Sequence, residues 1–173
     1  MDEQPPTPPV ADGEDHALDP RVIALHRTVG LIFAAIVTIG SFIGLGVALL
    51  TAGVPAWQRG LLAFLWLALI ILLARFVYRW PVVHYRHTSY RVDTQGIQIR
   101  KGVFWRVVIN VPRSRVQHTD VSQGPLERRY GLGTLVIYTA GTDHARVDLD
   151  GLEHRDAMRI REHLLPGGTS DAV

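Results

Sequence analysis

A long charge-free stretch opens the first half of the chain. No residue between positions 28 and 58 is charged, and residues 31–50 are apolar almost throughout. About 20 such residues in a helix cross a hydrocarbon core of about 30 Å, because each residue adds about 1.5 Å. The pattern therefore predicts a first transmembrane helix at about residues 28–51.

A second apolar run follows closely. Residues 60–74 are dense in Leu and Ile, and the helix can continue to about Tyr78 because the long side chain of Arg75 can reach the membrane surface. This predicts a second helix at about residues 60–79. With the first helix it forms a transmembrane hairpin within residues 21–80.

The segment between the runs has the composition of a tight turn. Gly53 and Pro55 interrupt the apolar pattern, and Trp57 is suited to the lipid headgroup level. A secretory signal peptide is the poorer interpretation, because an acidic rather than a basic segment precedes the first run. Two buried helices of a soluble protein are disfavoured too, since neither run has a polar stripe.

Basic residues near the helix ends predict the orientation. Arg21 and Arg27 precede the first helix and several arginines follow the second, whereas the connecting turn has only Arg59. Both termini of this multi-pass plasma membrane protein are therefore predicted to be cytoplasmic. The residues predicted to anchor the chain at the membrane interface are Trp57, Arg75, Arg79, Trp80 and Arg86.

A small-residue pattern lies in the first helix. Gly40 and Gly44 are spaced so that another helix can approach closely. Contact with the second helix of the same hairpin is the favoured interpretation, and a homo-oligomer is the alternative.

The second half of the chain has the alternation of short strands. Residues 103–111 alternate most clearly, with Val103, Trp105 and Val107 on one face and Phe104 and Arg106 on the other. Further strands are predicted at residues 84–92, 97–99, 116–123, 133–140 and 145–149.

Two helical segments complete the soluble part. Residues 125–131 predict a short turn of helix, and residues 152–165 have helical spacing through Ala157, Ile160 and Leu164. Such a strand set followed by one amphipathic helix predicts a mainly β, PH-like curved antiparallel sheet or barrel capped by a C-terminal α-helix. The predicted fold class is therefore this domain, at residues 81–166, after a transmembrane hairpin.

The two ends of the chain are predicted to be disordered. Residues 1–20 are acidic and rich in proline, a composition that cannot bury enough apolar surface to fold, and residues 167–173 form a short polar tail.

Three stretches resemble a known family. Residues 90–104 (YRVDTQGIQIRKGVF), 111–119 (VPRSRVQHT) and 123–133 (QGPLERRYGLG) are similar to bacterial pleckstrin-homology-like domains. With two preceding membrane helices, the layout over residues 20–165 resembles YdbS-like membrane proteins. The resemblance implies a membrane-tethered domain that acts with a larger membrane protein carrying several such domains. It transfers no catalytic site.

The residues themselves favour no enzyme and no cofactor. The chain has no cysteine, which excludes disulfides and thiolate chemistry. Its eight histidines form no metal-binding motif, and no serine lies in a nucleophile elbow. A net charge of +2 is too weak to argue for nucleic acid.

Basic residues remain as candidate contacts for an anionic ligand or partner. Arg100, Lys101 and Arg106 flank a predicted hairpin tip, where the favoured interpretation is hairpin solubility. A second group consists of Arg113, Arg115, Arg128 and Arg129, for which internal pairing with Glu127, Asp120 and Asp148 is favoured.

The leading hypothesis is a non-enzymatic interaction module that assembles with or recruits a protein partner at the cytoplasmic membrane face. The alternative is a domain that senses anionic lipid headgroups through Arg100, Lys101 and Arg106. An unrecognised membrane enzyme is the least favoured hypothesis.

Overall fold

A computed structural model of the chain describes residues 11–51, 53, 55–140 and 145–165. The predicted tail at residues 167–173 lies outside the described residues. The chain divides into two compact units, Ile23–Val83 and the combination of Met1–Val22 with His84–Val173.

Two helices carry the apolar runs. Helix α1 spans Arg21–Thr51 and helix α2 spans Ala56–Arg86, each with 31 residues. Their apolar side chains are largely exposed, and both helices are long and apolar enough to cross a membrane. The predicted hairpin of membrane helices is confirmed by these two elements.

Helix α2 continues further than the sequence suggested. It passes through Pro81 and ends at Arg86, so the strand predicted at residues 84–92 is wrong over its first half. A proline removes one backbone donor but does not stop a helix whose following turns remain bonded. The end is fixed by bonds to the carbonyl oxygens of His84 and Tyr85, donated by the N–H groups of His87 and Thr88 at 3.1 and 3.3 Å.

The two helices contact each other at specific side chains within Ile23–Val83. Trp66 donates its Nε1–H to Ser41 Oγ at 3.0 Å, and the guanidinium carbon of Arg27 lies 3.9 Å from the centroid of the Tyr78 ring. These contacts place a hydrogen bond and a cation–π interaction between otherwise apolar helices.

The glycine at which the two helices approach closely is not one of the predicted pair. A Cβ added at Gly30 would lie 2.7 Å from Val77 Cγ1, whereas one added at Gly40 or Gly44 would meet no atom within 4 Å. The favoured interpretation of Gly40 and Gly44 is therefore wrong, because the close contact with α2 lies at Gly30, nearer the start of α1.

The other unit contains two antiparallel sheets. The first has the order β1-β2-β3-β4 and the second the order β5-β6-β7. The strands are β1 Asp15–Ala17, β2 Ser89–Asp93, β3 Gly96–Lys101, β4 Val107–Pro112, β5 Val116–Ser122, β6 Leu132–Thr139 and β7 Arg146–Glu153. A 3-10 turn, Arg113–Arg115, joins the sheets, and helices α3 (Pro125–Tyr130) and α4 (His154–Leu164) complete the unit.

The core lies between the inner faces of these elements. Ile99, Leu135, Ile137 and Leu149 are fully buried, and α4 packs on β5, β6 and β7. The inward face of α4 consists of the predicted residues Ala157, Ile160 and Leu164. Two antiparallel sheets followed by a C-terminal helix form the PH-like fold, which confirms the predicted fold class.

Strand β1 comes from the segment predicted to be disordered. Asp15, His16 and Ala17 pair with Arg91, Tyr90 and Ser89 of β2. For residues 15–17 the prediction of a disordered tail is therefore wrong, and residues 1–10 lie outside the described part of the chain. The composition of the segment did not indicate this strand, because pairing with β2, rather than local propensity, orders such a short segment.

Strand β4 is shorter than its alternating pattern. It begins at Val107, so the predicted strand at residues 103–111 is wrong over residues 103–106. The partner strand β3 ends at Lys101, which pairs with Val107. The intervening residues are left to form the loop.

One glycine of β7 allows Val22 to pack closely on the second sheet of this unit. Gly151 has φ +79°, and an added Cβ would lie 2.7 Å from Val22 Cγ2. Substitution Gly151→Ala should lower the free energy of unfolding by about 2–4 kcal/mol, because it combines left-handed strain with overpacking. Pulse proteolysis of the detergent-solubilised protein measures this change.

The matched control is Gly13→Ala. Gly13 also has a positive φ, +73°, but an added Cβ would meet no atom within 4 Å. It should cost only the backbone strain of about 1–2 kcal/mol. Equal losses for the two variants would contradict the packing argument.

Candidate functional site

A shallow basic pocket lies beside the β3–β4 loop. Its volume is about 270 Å³, and it is open to solvent. The basic side chains that line it are Arg86, Arg100, Lys101 and Arg106. The structure therefore brings together the three residues predicted at the hairpin tip and adds Arg86, which the sequence suggested only as a membrane anchor.

Two of these cations are engaged inside the domain. Arg100 Nη1 lies 2.8 Å from Asp15 Oδ2, and its Nη2 donates to Gln98 Oε1 at 2.6 Å. Lys101 donates its Nζ–H to the carbonyl oxygen of Asp148 on β7. An anionic ligand could bind these two cations only in competition with these bonds.

The other two are uncommitted. Arg86 and Arg106 are exposed, and in the described part of the chain neither guanidinium makes a hydrogen bond or an ion pair. Exposed guanidinium groups with free donors bind phosphate or carboxylate oxygens readily. The anion-binding capacity of the pocket therefore lies mainly with Arg86 and Arg106.

A polar ladder crosses the outer face of the first sheet. Asp15 Oδ1 accepts from Arg91 Nε at 3.0 Å, and Gln98 Nε2 donates to Asn110 Oδ1 at 2.7 Å. The hydrogen bond from Arg91 and the charge of Arg100 hold the pKa of the Asp15 carboxyl below its usual value. The ladder links β1 to β4 and engages the guanidinium of Arg100 in bonds to Asp15 and Gln98.

The second predicted basic group is divided. Arg113 and Arg115 lie in the 3-10 turn before β5, and Arg128 and Arg129 lie in α3 after it. Strand β5 has seven residues, which is about 23 Å at about 3.3 Å per residue. These four residues therefore form no single site.

Internal pairing of this group is also wrong for the acids proposed. Glu127 accepts from Gly124 N at 2.6 Å and Thr134 Oγ1 at 2.8 Å. Asp120 lies 2.7 Å from His118 Nε2, and Asp148 lies 2.9 Å from Arg146 Nε. Residues close in sequence satisfy these carboxylates instead. Arg113 instead donates to the carbonyl oxygen of Leu165 at 3.0 Å.

The loop between β3 and β4 exposes two aromatic rings that the alternating pattern had assigned to a strand. Phe104 is 81% exposed and Trp105 is 85% exposed. Gly102 starts the loop with φ +120°, and an added Cβ would collide with the carbonyl oxygen of Trp105. The only sequence signal for this loop was the glycine directly after the Arg-Lys pair.

Strand β4 forms an open sheet edge. Arg113 donates its N–H to the Gln95 carbonyl on the β3 side at 2.7 Å. Because backbone groups alternate along a strand, the N–H groups of Val108 and Asn110 point away from β3. Among the described residues these outward groups have no partner, and sequence reasoning did not identify this edge.

A groove runs along that edge. It has a volume of about 220 Å³, and one wall is the backbone from Val108 to Pro112. The opposite wall contains Arg115, Thr139 and Ala140. An extended segment with an acidic residue would match an edge of free backbone groups beside an arginine.

The predicted anchoring residues occupy both ends of α2. Trp57 is exposed in its first turn, Arg75 and Arg79 are exposed, and Trp80 stacks on Phe76 with ring centroids 5.2 Å apart. Within the described residues, no three His, Asp or Glu side chains form a group that could hold a metal ion.

Comparison with known proteins agrees with this geometry. Residues 22–167 match the family model described as Bacterial PH domain. The UPF0699 transmembrane protein YdbS of Bacillus subtilis (strain 168) is 36% identical over 110 residues, which are 64% of this chain and 65% of that protein. No solved structure matches the chain. The resemblance seen in the sequence motifs is confirmed.

The attachment of β1 to the pocket side of the sheet should depend on Asp15. Substitution Asp15→Asn should speed hydrogen exchange in residues 11–17 and 89–92, because it removes ion pairs to Arg91 and Arg100. In the unsubstituted protein, acidification should lower the protection factors of the same residues, which are calculated relative to the intrinsic exchange rate at each pH. The folded pKa is lowered, so this stabilisation is present near neutral pH and is lost as pH falls through that lowered value.

Hydrogen exchange with mass spectrometry at two pH values provides the measurement. The control is Glu14→Gln, since Glu14 is exposed and makes no ion pair in the part of the chain that is described. Equal acceleration by both substitutions would show that Asp15 does not hold the strand.

Proposed function

This chain belongs to the bacterial PH domain family, and from that premise we propose that it is a non-enzymatic, membrane-tethered interaction module. It assembles with or recruits a protein partner at the cytoplasmic face of the plasma membrane. The observation that carries this proposal is the open β4 edge, where the outward N–H groups of Val108 and Asn110 border a groove.

Other sheet edges in the unit are less suited to a partner. On β5, the carbonyl oxygen of Thr119 accepts from Arg161 Nε at 3.3 Å. On β7, the carbonyl oxygen of Asp148 accepts from Lys101 Nζ. Side chains of the domain thus cap these two edges, whereas β4 keeps backbone donors for an incoming strand.

The partner is an extended protein segment that carries an acidic residue. The backbone of such a segment would bond to β4, and its carboxylate would meet Arg115 on the far wall of the groove. A related membrane protein with several PH-like domains is the class of partner that we propose. An edge strand from one such domain would suit this edge.

The orientation proposed for this function has both termini in the cytoplasm. Pairing of Asp15–Ala17 with Ser89–Arg91 supports a common side for the segments before α1 and after α2. The arginines at 75, 79 and 86 favour the cytoplasmic side. Together with Trp57 and Trp80, they would anchor α2 at the two membrane surfaces.

Substitution Val108→Pro tests the edge directly. It removes an outward N–H without breaking a bond to β3, so the fold should persist while the partner bond is lost. Partner binding should weaken about tenfold, which corresponds to about 1.4 kcal/mol, the upper range for one hydrogen bond. The measurement is photocrosslinking from position Pro112 of the full chain in native membranes, with the adduct identified by mass spectrometry.

Val108→Thr is the matched control. Threonine keeps the N–H and the strand propensity but changes the apolar side chain, so the adduct should persist. An adduct that survives Val108→Pro, or the absence of a reproducible adduct, would contradict the proposal.

The basic pocket favours a second candidate function, recognition of anionic lipid headgroups. Arg86 and Arg106 present exposed guanidinium groups into one pocket of about 270 Å³. This proposal depends less on Arg100 and Lys101, because both are bonded within the domain.

Calorimetric titration with short-chain lipids tests headgroup recognition by measuring binding affinity. The detergent-solubilised full chain should bind dihexanoyl phosphatidylglycerol more tightly than dihexanoyl phosphatidylcholine. Arg106→Ala and Arg86→Ala should each weaken phosphatidylglycerol binding about fivefold, equivalent to about 1 kcal/mol per cation. Arg128→Ala, outside the pocket, should leave it unchanged. Equal affinity for the two lipids would overturn this candidate.

A further inference from the structure

The loop Gly102–Arg106 carries the most exposed aromatic rings of its unit. Phe104 and Trp105 are 81% and 85% exposed. The tyrosines of the same unit are half-buried, and they are Tyr85, Tyr90, Tyr130 and Tyr138. Exposing two adjacent large aromatic side chains to water is unfavourable in free energy. Such an exposed apolar patch therefore indicates a contact with a membrane or another molecule.

The loop is held in place from both sides. Lys101 and Val107 form the last pair of the β3–β4 ladder, and Lys101 Nζ also bonds to the Asp148 carbonyl on β7. The positive φ of Gly102 and its close approach to the Trp105 carbonyl fix the turn. The rings are therefore presented by a rigid base, which reduces the entropy lost when they enter a binding site.

The charged residues that flank the rings in sequence are all basic. The chain from position 94 to 119 contains five basic residues and no acidic one. Arg106 follows Trp105 directly, and the adjacent pocket adds Arg86, the last residue of the membrane helix α2. An aromatic tip with a basic collar is complementary to a bilayer with anionic headgroups.

We propose that Phe104 and Trp105 insert into the headgroup region of an anionic bilayer, so that this loop is a second membrane contact of the chain. Tryptophan prefers this depth because its ring is apolar and its N–H needs a polar partner. The collar of Arg86 and Arg106 lies against lipid phosphates. Neither the β4 edge nor the headgroup pocket requires these two rings, so the inference goes beyond both proposed functions.

A bilayer is favoured over a protein partner by the same observations. The chain is already held at a membrane by α1 and α2, so a bilayer is always available at high local concentration. A protein hot spot is normally surrounded by a rim that excludes water, with charges of both signs for specificity. Here the charged side chains of the loop and of the pocket lining are all basic.

A single fluorescent label tests the insertion. The chain has no cysteine, so Phe104→Cys gives one thiol for an environment-sensitive dye in the full-length protein. The labelled protein is reconstituted into vesicles of phosphatidylcholine with one part in three phosphatidylglycerol. We expect blue-shifted emission, quenching by doxyl-labelled lipid, and protection from aqueous iodide.

Matched variants separate insertion from general shielding. A dye at Gln117→Cys, an exposed position on β5, should stay accessible to iodide. Adding Trp105→Ser to Phe104→Cys should reduce the blue shift. Replacing the anionic lipid by phosphatidylcholine, or raising salt from about 0.1 M to about 1 M, should also reduce it, because the Debye length falls from about 10 to about 3 Å.

Three results would overturn the proposal. The dye at position 104 could remain as accessible to iodide as the dye at 117 in anionic vesicles. It could be shielded equally in detergent micelles and in both vesicle types. It could be shielded only after a partner membrane protein is added, which would make the loop a protein-docking surface. The Val108→Pro crosslinking result does not depend on any of these outcomes, so failure of one proposal leaves the other testable.

Discussion

The pairing of β1 with β2 is the interaction on which the organisation of the soluble unit depends. Asp15–Ala17 precede both membrane helices and Ser89–Arg91 follow them, yet the two segments form one antiparallel ladder. The ladder occupies the β2 edge of the first sheet, which leaves β4 as its open edge. It also brings Asp15 to Arg100, and this ion pair engages one of the four cations of the basic pocket. Three residues of an acidic segment thus affect both the sheet edge and the pocket.

Patterns of sufficient length made the helices and most strands predictable. Residues 31–50 are apolar enough to lie in a membrane, and hydrocarbon offers no hydrogen-bond partner to the backbone. A helix satisfies all of these backbone groups within the segment, so it was the structure to expect. Ala157, Ile160 and Leu164 repeat at helical spacing, and all three are buried in α4. Strand β1 could not be predicted in this way. Its residues are polar, its length is three residues, and its partner lies beyond two helices.

The sequence predicted which residue types form the candidate site, but not which of its cations are free to bind a ligand. Sequence composition identified Arg100, Lys101 and Arg106 as cations near a hairpin tip. Whether a cation is free depends on tertiary neighbours, since Asp15 and the Asp148 carbonyl come from distant segments. The exposure of Phe104 and Trp105 also depends on the tertiary structure. Alternation placed Trp105 in a strand, but β3 ends at Lys101, which is too early to pair with it.

The β3–β4 hairpin presents two surfaces. One is its loop, with exposed aromatic rings and basic side chains, and the other is the open edge of β4. These surfaces differ in the groups they use: side-chain rings and guanidinium groups at the loop, main-chain N–H groups along Val108 and Asn110. A strand edge exposes its donors sideways within the sheet, whereas a loop projects its side chains beyond the sheet end. The two directions do not compete for the same atoms. A bilayer contact at Phe104 and Trp105 would therefore leave the β4 edge open, and a domain held at two places on the membrane would present that edge to a membrane-bound partner with less orientational freedom to lose.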